Sequence, residues 1–241
     1  MKTCIVIPLY NEYQRFDQNS FLSFVKNNDL IFCLVNDGSN DQTMQMIESL
    51  AKGSQKIYSL NLEKNLGKAE AVRAGTNYAI SNLNCKIIGY FDADFATPLQ
   101  EILNLEKLIQ NSLYALVMGS RVKRLGANIK RFKIRHFSGR IIATIISENI
   151  LGLPVYDTQC GLKLMTKEIA EIVFKDKFIS KWLFDVEIIA RIKNKFGKDY
   201  CIENIYEFPL SKWEDKGKSK ITFIDALTVP INLTKLFFYY K

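Results

Sequence analysis

The stretch GYFDADFATP, Gly89 to Pro98, sets an apolar run against two aspartates separated by one alanine. Its first half reads as a buried strand. Thr97 as an N-cap, Pro98 in the first turn and Gln100 as capping-box partner predict a helix directly behind the aspartates, so Asp92 and Asp94 are expected to end the strand. Outward from this point, TCIVIP, LIFCLV, KIYSL, KIIGYF and YALVM read as further buried strands. The segments between several of them carry apolar residues at helical spacing, such as Met44, Ile47 and Leu50. Strand alternating with helix is an α/β fold.

The chain has 241 residues, 48% hydrophobic and 12% aromatic, enough to bury one large core. No apolar run reaches the roughly 18 residues of a membrane span, and no signal peptide is visible, so a cytoplasmic protein is expected. The five cysteines are scattered without a C-x-x-C pair, which suits reduced, buried thiols. A single histidine excludes a His-rich metal site. The net charge of +8 is concentrated: Lys107 to Ser147 holds nine basic residues and no acid. A solvated basic face is the plain explanation, and phosphate, nucleic acid or an anionic membrane surface are the functional ones.

Three polar clusters, LYNE, NDGSND and DAD, follow the first, second and fourth strands. Carboxyl ends of strands are where open α/β sheets bind ligands. Each cluster alone reads equally well as a turn or a helix cap. Together, with residues i and i+2 on one face of a strand, Asp92 and Asp94 suit a hard divalent cation. Mg2+ or Mn2+ takes one or two carboxylates and completes its shell with substrate phosphates. A Walker motif fails at Leu62 and Ala69, and no G-x-G-x-x-G occurs. Lys68 and Arg73, at the head of an expected helix, can meet a phosphate or be solvated helix charges. A serine-hydrolase triad would need His136, which lies among basic residues without a G-x-S-x-G elbow.

In order and over nearly the whole chain, IVIPLYNE, VNDGSNDQT, NLGKAEAVRAG, DADFATP, GSR, DTQCGLKLM, WLFDVEII and WEDKGKSKI resemble a family 2 glycosyltransferase, and within it the dolichyl-phosphate glucosyltransferases. The resemblance implies a GT-A fold, an open, mostly parallel sheet sandwiched by helices. It also implies that Pro8, Tyr10, Glu12 and Asp37 hold the base and ribose of a nucleotide sugar, that Asp92 sits by the ribose or metal, and that Asp94 binds the metal. Related mannosyltransferases usually have Gln where this chain has Ala96, so the resemblance points to the glucosyl branch and UDP-glucose.

Moving a sugar off a nucleotide diphosphate requires the departing diphosphate to be stabilised, which a bridging metal does. A hydroxyl acceptor also needs a general base, for which Asp157, Asp185 or Glu187 is available. A phosphate monoester, with a second pKa of about 6, is already ionised at neutral pH and needs only cations around it. Arg121, Arg131 and Arg135 supply them, with Lys218 and Lys220 as a second source. The expected reaction is inverting transfer of glucose from UDP-glucose to a polyprenyl or dolichyl phosphate, at the cytoplasmic face of a membrane. Transfer to a glycan hydroxyl is the alternative. From another class, so is a non-catalytic nucleotide-sugar or nucleic-acid binding protein. Phe132 and Phe137 are the only aromatics between Arg121 and Arg140, too few for nucleic-acid stacking.

Residues 1–210 are expected to form the GT-A domain. Residues 211–241 are expected to add a lid loop, KWEDKGKSKI, and an apolar tail too short to span a membrane but able to touch one. Ile141, Ile142, Ile145 and Ile146 fall on one face of an expected helix, for membrane surface or core equally.

Overall fold

The computed structural model describes residues 2–130, 142–216 and 223–240. In chain order the first half runs β1 (Thr3–Leu9), α1 (Gln18–Asn27), β2 (Leu30–Asp37), α2 (Thr43–Lys52), β3 (Ile57–Leu62), α3 (Lys68–Asn82), β4 (Ile87–Phe91), α4 (Gln100–Gln110) and β5 (Leu116–Ser120). After β6 (Asn128–Lys130) and a π-helical turn (Ile145–Leu151) come β7 (Leu162–Thr166), α5 (Lys167–Val173), α6 (Phe184–Phe196), α7 (Lys198–Asn204), β8 (Ile205–Pro209), β9 (Lys212–Glu214) and α8 (Phe223–Tyr240).

Among these residues one sheet runs β3-β2-β1-β4-β7-β5-β8. All its pairings are parallel except those of β7, which is antiparallel to both β4 and β5. The five inner strands are buried on both faces because each face carries a core. Along β1, Cys4 and Val6 enter a core shared with α3, α5, α6 and α8. Ile5, Ile7 and Leu9 enter the other, shared with α1, α2 and α4. The expected open, mostly parallel sheet between helical layers is borne out, and all five cysteines are buried and free.

One close approach sets the height of α3 above the sheet. A Cβ on Gly75 would lie 2.5 Å from Val6 Cγ1 and 2.7 Å from Val35 Cγ2. Glycine costs about 1 kcal/mol against alanine inside a helix. Here it lets α3 lie flush on β1 and β2.

The helix after the two aspartates starts later than expected, at Gln100, with Leu99 rather than Thr97 at its N-cap. β4 stops at Phe91, and residues 93–94 form a turn in which Asp94 Oδ1 accepts the Ala96 N–H (3.0 Å) and Phe95 takes φ 51°. Asp92 and Asp94 therefore converge through a turn rather than along one face of a strand.

Nor does an amphipathic helix carry the isoleucines on one face. Ile146 and Ile150 of the π-helical turn are buried while Ile145 is exposed, and Ile141 lies outside the described residues. The C-terminal helix packs onto the body: Leu236 and Tyr240 are buried, and the Tyr240 hydroxyl donates to Glu187 Oε2 (3.2 Å). Among the described residues no helix is long and apolar enough to cross a membrane.

β9 pairs in parallel with β6 to form a small ribbon. It is stapled to the body by Glu101, which accepts from the backbone N–H of Ser211 (3.0 Å) and from its hydroxyl. The Glu214 N–H donates to the Ala96 carbonyl (3.0 Å), so the ribbon touches the loop that holds Asp94.

Candidate functional site

The loops after β1 and β2 are laced together. Ser39 and Thr43 hydroxyls accept the N–H groups of Asn11 (3.0 Å) and Glu12 (2.9 Å), and Asn11 Oδ1 accepts the Asn40 N–H (2.9 Å). Pro8 lies in β1, paired with Val35, Tyr10 follows the strand half-buried, and Glu12 is buried. Asp37 closes β2. Its Oδ1 accepts the Leu66 N–H (2.8 Å) and its Oδ2 the Gly67 N–H (3.0 Å), which ties the second loop to the start of α3. Burial raises the Asp37 pKa, opposed by those two N–H groups and by Lys181.

Lys68, the first residue of α3, sets its Nζ 2.5 Å from Asp92 Oδ1. The Asp92 N–H donates to the Gly161 carbonyl (3.0 Å). A Cβ on Gly161 would overlap the Asp92 carboxylate, so only glycine leaves room for the acid there. Burial works against the Lys68 ammonium, but Asp92, Asp185 and Asp94 outweigh it and hold its pKa above the ordinary lysine value. At Asp94 burial raises the carboxyl pKa and the Asp92 charge pushes the same way, against the Ala96 N–H, Lys68 and Arg15. The two acids thus share one electrostatic field, already answered by an ammonium standing on one of them.

The donor chemistry fits a hard cation. Both groups are carboxylates, and among the described residues no cluster of three or more His, Cys, Asp or Glu could form a complete protein cage. Mg2+ or Mn2+ held by two carboxylates fills its other positions with substrate oxygens and water.

Beneath this surface the acids of the second half are neutralised internally. Lys163, the second residue of β7 and fully buried, donates to Asp185 Oδ1 (2.5 Å) and to the Cys160 carbonyl (2.8 Å). The Tyr90 hydroxyl donates to the same Asp185 oxygen. Arg121 grips Asp157 through its backbone N–H (3.0 Å), Nε (2.6 Å) and Nη2 (2.7 Å), and its guanidinium lies 5.3 Å from the Trp213 ring centroid. Glu207 accepts the N–H groups of Tyr156 and Asp157, both at 2.8 Å, and fixes that pair from behind. Glu187 accepts from the Ile179 and Ser180 N–H groups and stands 3.6 Å from Arg191.

The structure therefore brings Asp37, Lys68, Asp92 and Asp94 to one edge, with Asp185 just beneath, and locks Arg121 onto Asp157. Arg73 does not join them: it pairs with Glu70 one turn back on α3 (2.8 Å). Arg131, Arg135, Lys218 and Lys220 lie outside the described residues, as does His136. Sequence reasoning missed Lys163, Tyr90, Lys181 and Arg15, whose charges or hydroxyl bear on the site. Only the lysine embedded in the apolar CGLKLM run was a signal, since a lone lysine in a strand is buried with an acid or not at all.

The chain is similar to known proteins. The profile of glycosyl transferase family 2 matches residues 4–174. A dolichyl-phosphate beta-glucosyltransferase of Trichomonas vaginalis is 30% identical over 254 residues, covering 99% of this chain and 72% of that protein. The human dolichyl-phosphate beta-glucosyltransferase is 31% identical over 208 residues, covering 77% of this chain and 61% of its own. Among solved structures, glucosyl-3-phosphoglycerate synthase from Mycobacterium tuberculosis, in complex with Mn2+, uridine-diphosphate and phosphoglyceric acid, shares the fold. Its TM-score is 0.68 at 16% identity, over 98% of this chain and 78% of that one. The order of the strands, the aspartates behind β4 and a profile match across most of the sheet converge on one assignment: this chain belongs to glycosyl transferase family 2 and has the GT-A fold.

Proposed function

We propose that this chain is a metal-dependent, inverting glucosyltransferase that moves glucose from UDP-glucose to a dolichyl or other polyprenyl phosphate. The observation that carries the acceptor is the state of the three carboxylates that could act as general base. Asp157 is clamped by Arg121, Asp185 by Lys163 and Tyr90, and Glu187 by two backbone N–H groups and Arg191. Taking up a proton would cost each of them its ion pair. An acceptor that ionises by itself needs none of them, and a phosphate monoester is such an acceptor. The names of the Trichomonas and human relatives point the same way.

In this reading Pro8, Tyr10, Glu12 and Asp37 shape the base and ribose pocket, and Asp92 and Asp94 hold Mg2+ or Mn2+. The bound cation would supply neutralisation of the departing diphosphate. Lys68 and Lys220 add positive charge to the same diphosphate, and Arg131 and Arg135 meet the acceptor phosphate. Attack by a phosphate oxygen from the face opposite the diphosphate inverts the anomeric carbon. Residues 1–210 would hold this chemistry, the lid loop within residues 211–241 would close over it, and the apolar tail would meet the membrane surface from the cytoplasmic side.

The test is to incubate the protein, Mn2+ and radiolabelled UDP-glucose with native membranes and partition the product. Solvent-extractable label released by mild acid is the expected result, because a sugar joined through its anomeric carbon to phosphate hydrolyses readily. Label confined to acid-stable or water-soluble glycan would overturn the phosphate acceptor and return Asp157 or Asp185 as base. Absence of transfer with intact UDP-glucose binding would leave a non-catalytic binding protein.

A further inference from the structure

Lys68 stands at the first position of a 15-residue helix, where the helix dipole disfavours a cation. Helix stability therefore does not explain it. Its partner is Asp92 Oδ1 at 2.5 Å, on a carboxylate whose side chain is 40% exposed and which packs against Gly161 through both oxygens. Lys68 thus occupies the same half-exposed carboxylate that a metal at this site would take. Nor is Lys68 needed below the site, because Asp185 already has the Lys163 ammonium and the Tyr90 hydroxyl. Lys68 can leave Asp92 without stranding a buried charge.

Resting on the metal reading above, we propose that Lys68 is an exchangeable counter-ion that couples metal and donor binding. Before the donor arrives, its ammonium occupies Asp92 Oδ1 and competes with the divalent cation. When the cation arrives with a nucleoside diphosphate, Asp92 passes to the metal and Lys68 turns to the diphosphate, whose charge replaces the one it has given up. Metal and diphosphate each raise the other's affinity through this one side chain, and by linkage the two enhancements are equal. The protein then takes up little metal alone and loads the pair together.

The test measures Mn2+ binding by electron paramagnetic resonance, with and without UDP, in the wild type, Lys68→Met and Asp94→Asn. Removal of the competing ammonium should tighten binding of Mn2+ alone in Lys68→Met by about two- to fivefold, the scale of a half-exposed ion pair. UDP binding at saturating Mn2+ should weaken by about the same factor, because the diphosphate has lost a charge-assisted partner. Wild-type Mn2+ binding should strengthen when UDP is added, and the enhancement should shrink in the variant. If Lys68→Met binds Mn2+ alone no tighter than wild type, while Asp94→Asn still abolishes Mn2+ binding in the presence of UDP, the counter-ion role is overturned and the metal site stands. If Asp94→Asn binds Mn2+ and UDP like wild type, both fall. Circular dichroism and a melting curve establish that the variants are folded, and Lys68→Gln replaces the methionine variant should that one fail to fold.

Discussion

The two halves of the sheet treat their acids in opposite ways. At the ends of β2 and β4, Asp37, Asp92 and Asp94 are met by backbone N–H groups and by one half-buried lysine, and the Asp92 side chain is 40% exposed. Around β5 and β7, Asp157 and Asp185 are 8% and 5% exposed, each locked to a cation from within the chain. Both sets follow from the same electrostatic rule, that a carboxylate drawn out of water needs a positive partner. The second half carries its partners in its own sequence. In the first half one ammonium, that of Lys68, makes a contact ion pair, with Asp92, while Asp37 and Asp94 feel Lys181 and Arg15 only at longer range, which leaves negative charge for an external cation.

The comparison breaks most severely at the sealed pair. Asp157→Ala should strand the Arg121 guanidinium among the β5 and β9 residues and cost about 3 to 5 kcal/mol of stability, read by urea denaturation. A loss well under 1 kcal/mol would mean that the pair is solvated and that the second half is not sealed.

On the open side the expected effect is smaller and falls on binding. Gly161→Ala should push the Asp92 carboxylate off its place, weakening Mn2+-dependent UDP binding by about tenfold, as displaced metal-site supports commonly do. The melting temperature should hardly move. Calorimetric titration with UDP checks this, and unchanged affinity would show that the position of Asp92 does not matter to the donor.

Least of all should happen at the ribbon. Lys130 and Glu214 pair at 3.2 Å in the open, with side chains 62% and 41% exposed, and such pairs contribute little. Glu214→Gln should leave the melting temperature unchanged within error. A measurable drop would mark the ribbon as a stability element.

The first half was legible because its strands are short apolar runs bounded by polar turns, so periodicity and turn chemistry agree over β1 to β5. β7 was not read as a strand. Lys163 interrupts its apolar run, and an antiparallel insertion between β4 and β5 leaves no local mark. β8 and β9 were hidden for a related reason, since their partners β5 and β6 are distant in sequence. At the site, the acids could be found from their place after strands, but their partners could not. The spacing of Arg121 to Asp157, or of Lys163 to Asp185, is set by the fold alone. Thr97 shows the converse: its sequence signature is that of a cap, yet the turn at Asp94 and Phe95 delays the helix past it.

Gly75 carries a lesson about distance. It lies two turns along α3 from Lys68 and touches nothing at the site, yet its missing side chain decides how near the helix axis rides to Val6 and Val35. A rigid rod seated higher at one point is displaced along its length, so a methyl group at Gly75 would shift the lysine that the rod carries at its tip. The reach of that ammonium is thus calibrated in the apolar core, by two valines, far from any charge. A search for the determinants of donor affinity confined to polar residues at the strand ends would pass over the position that sets the scale for them.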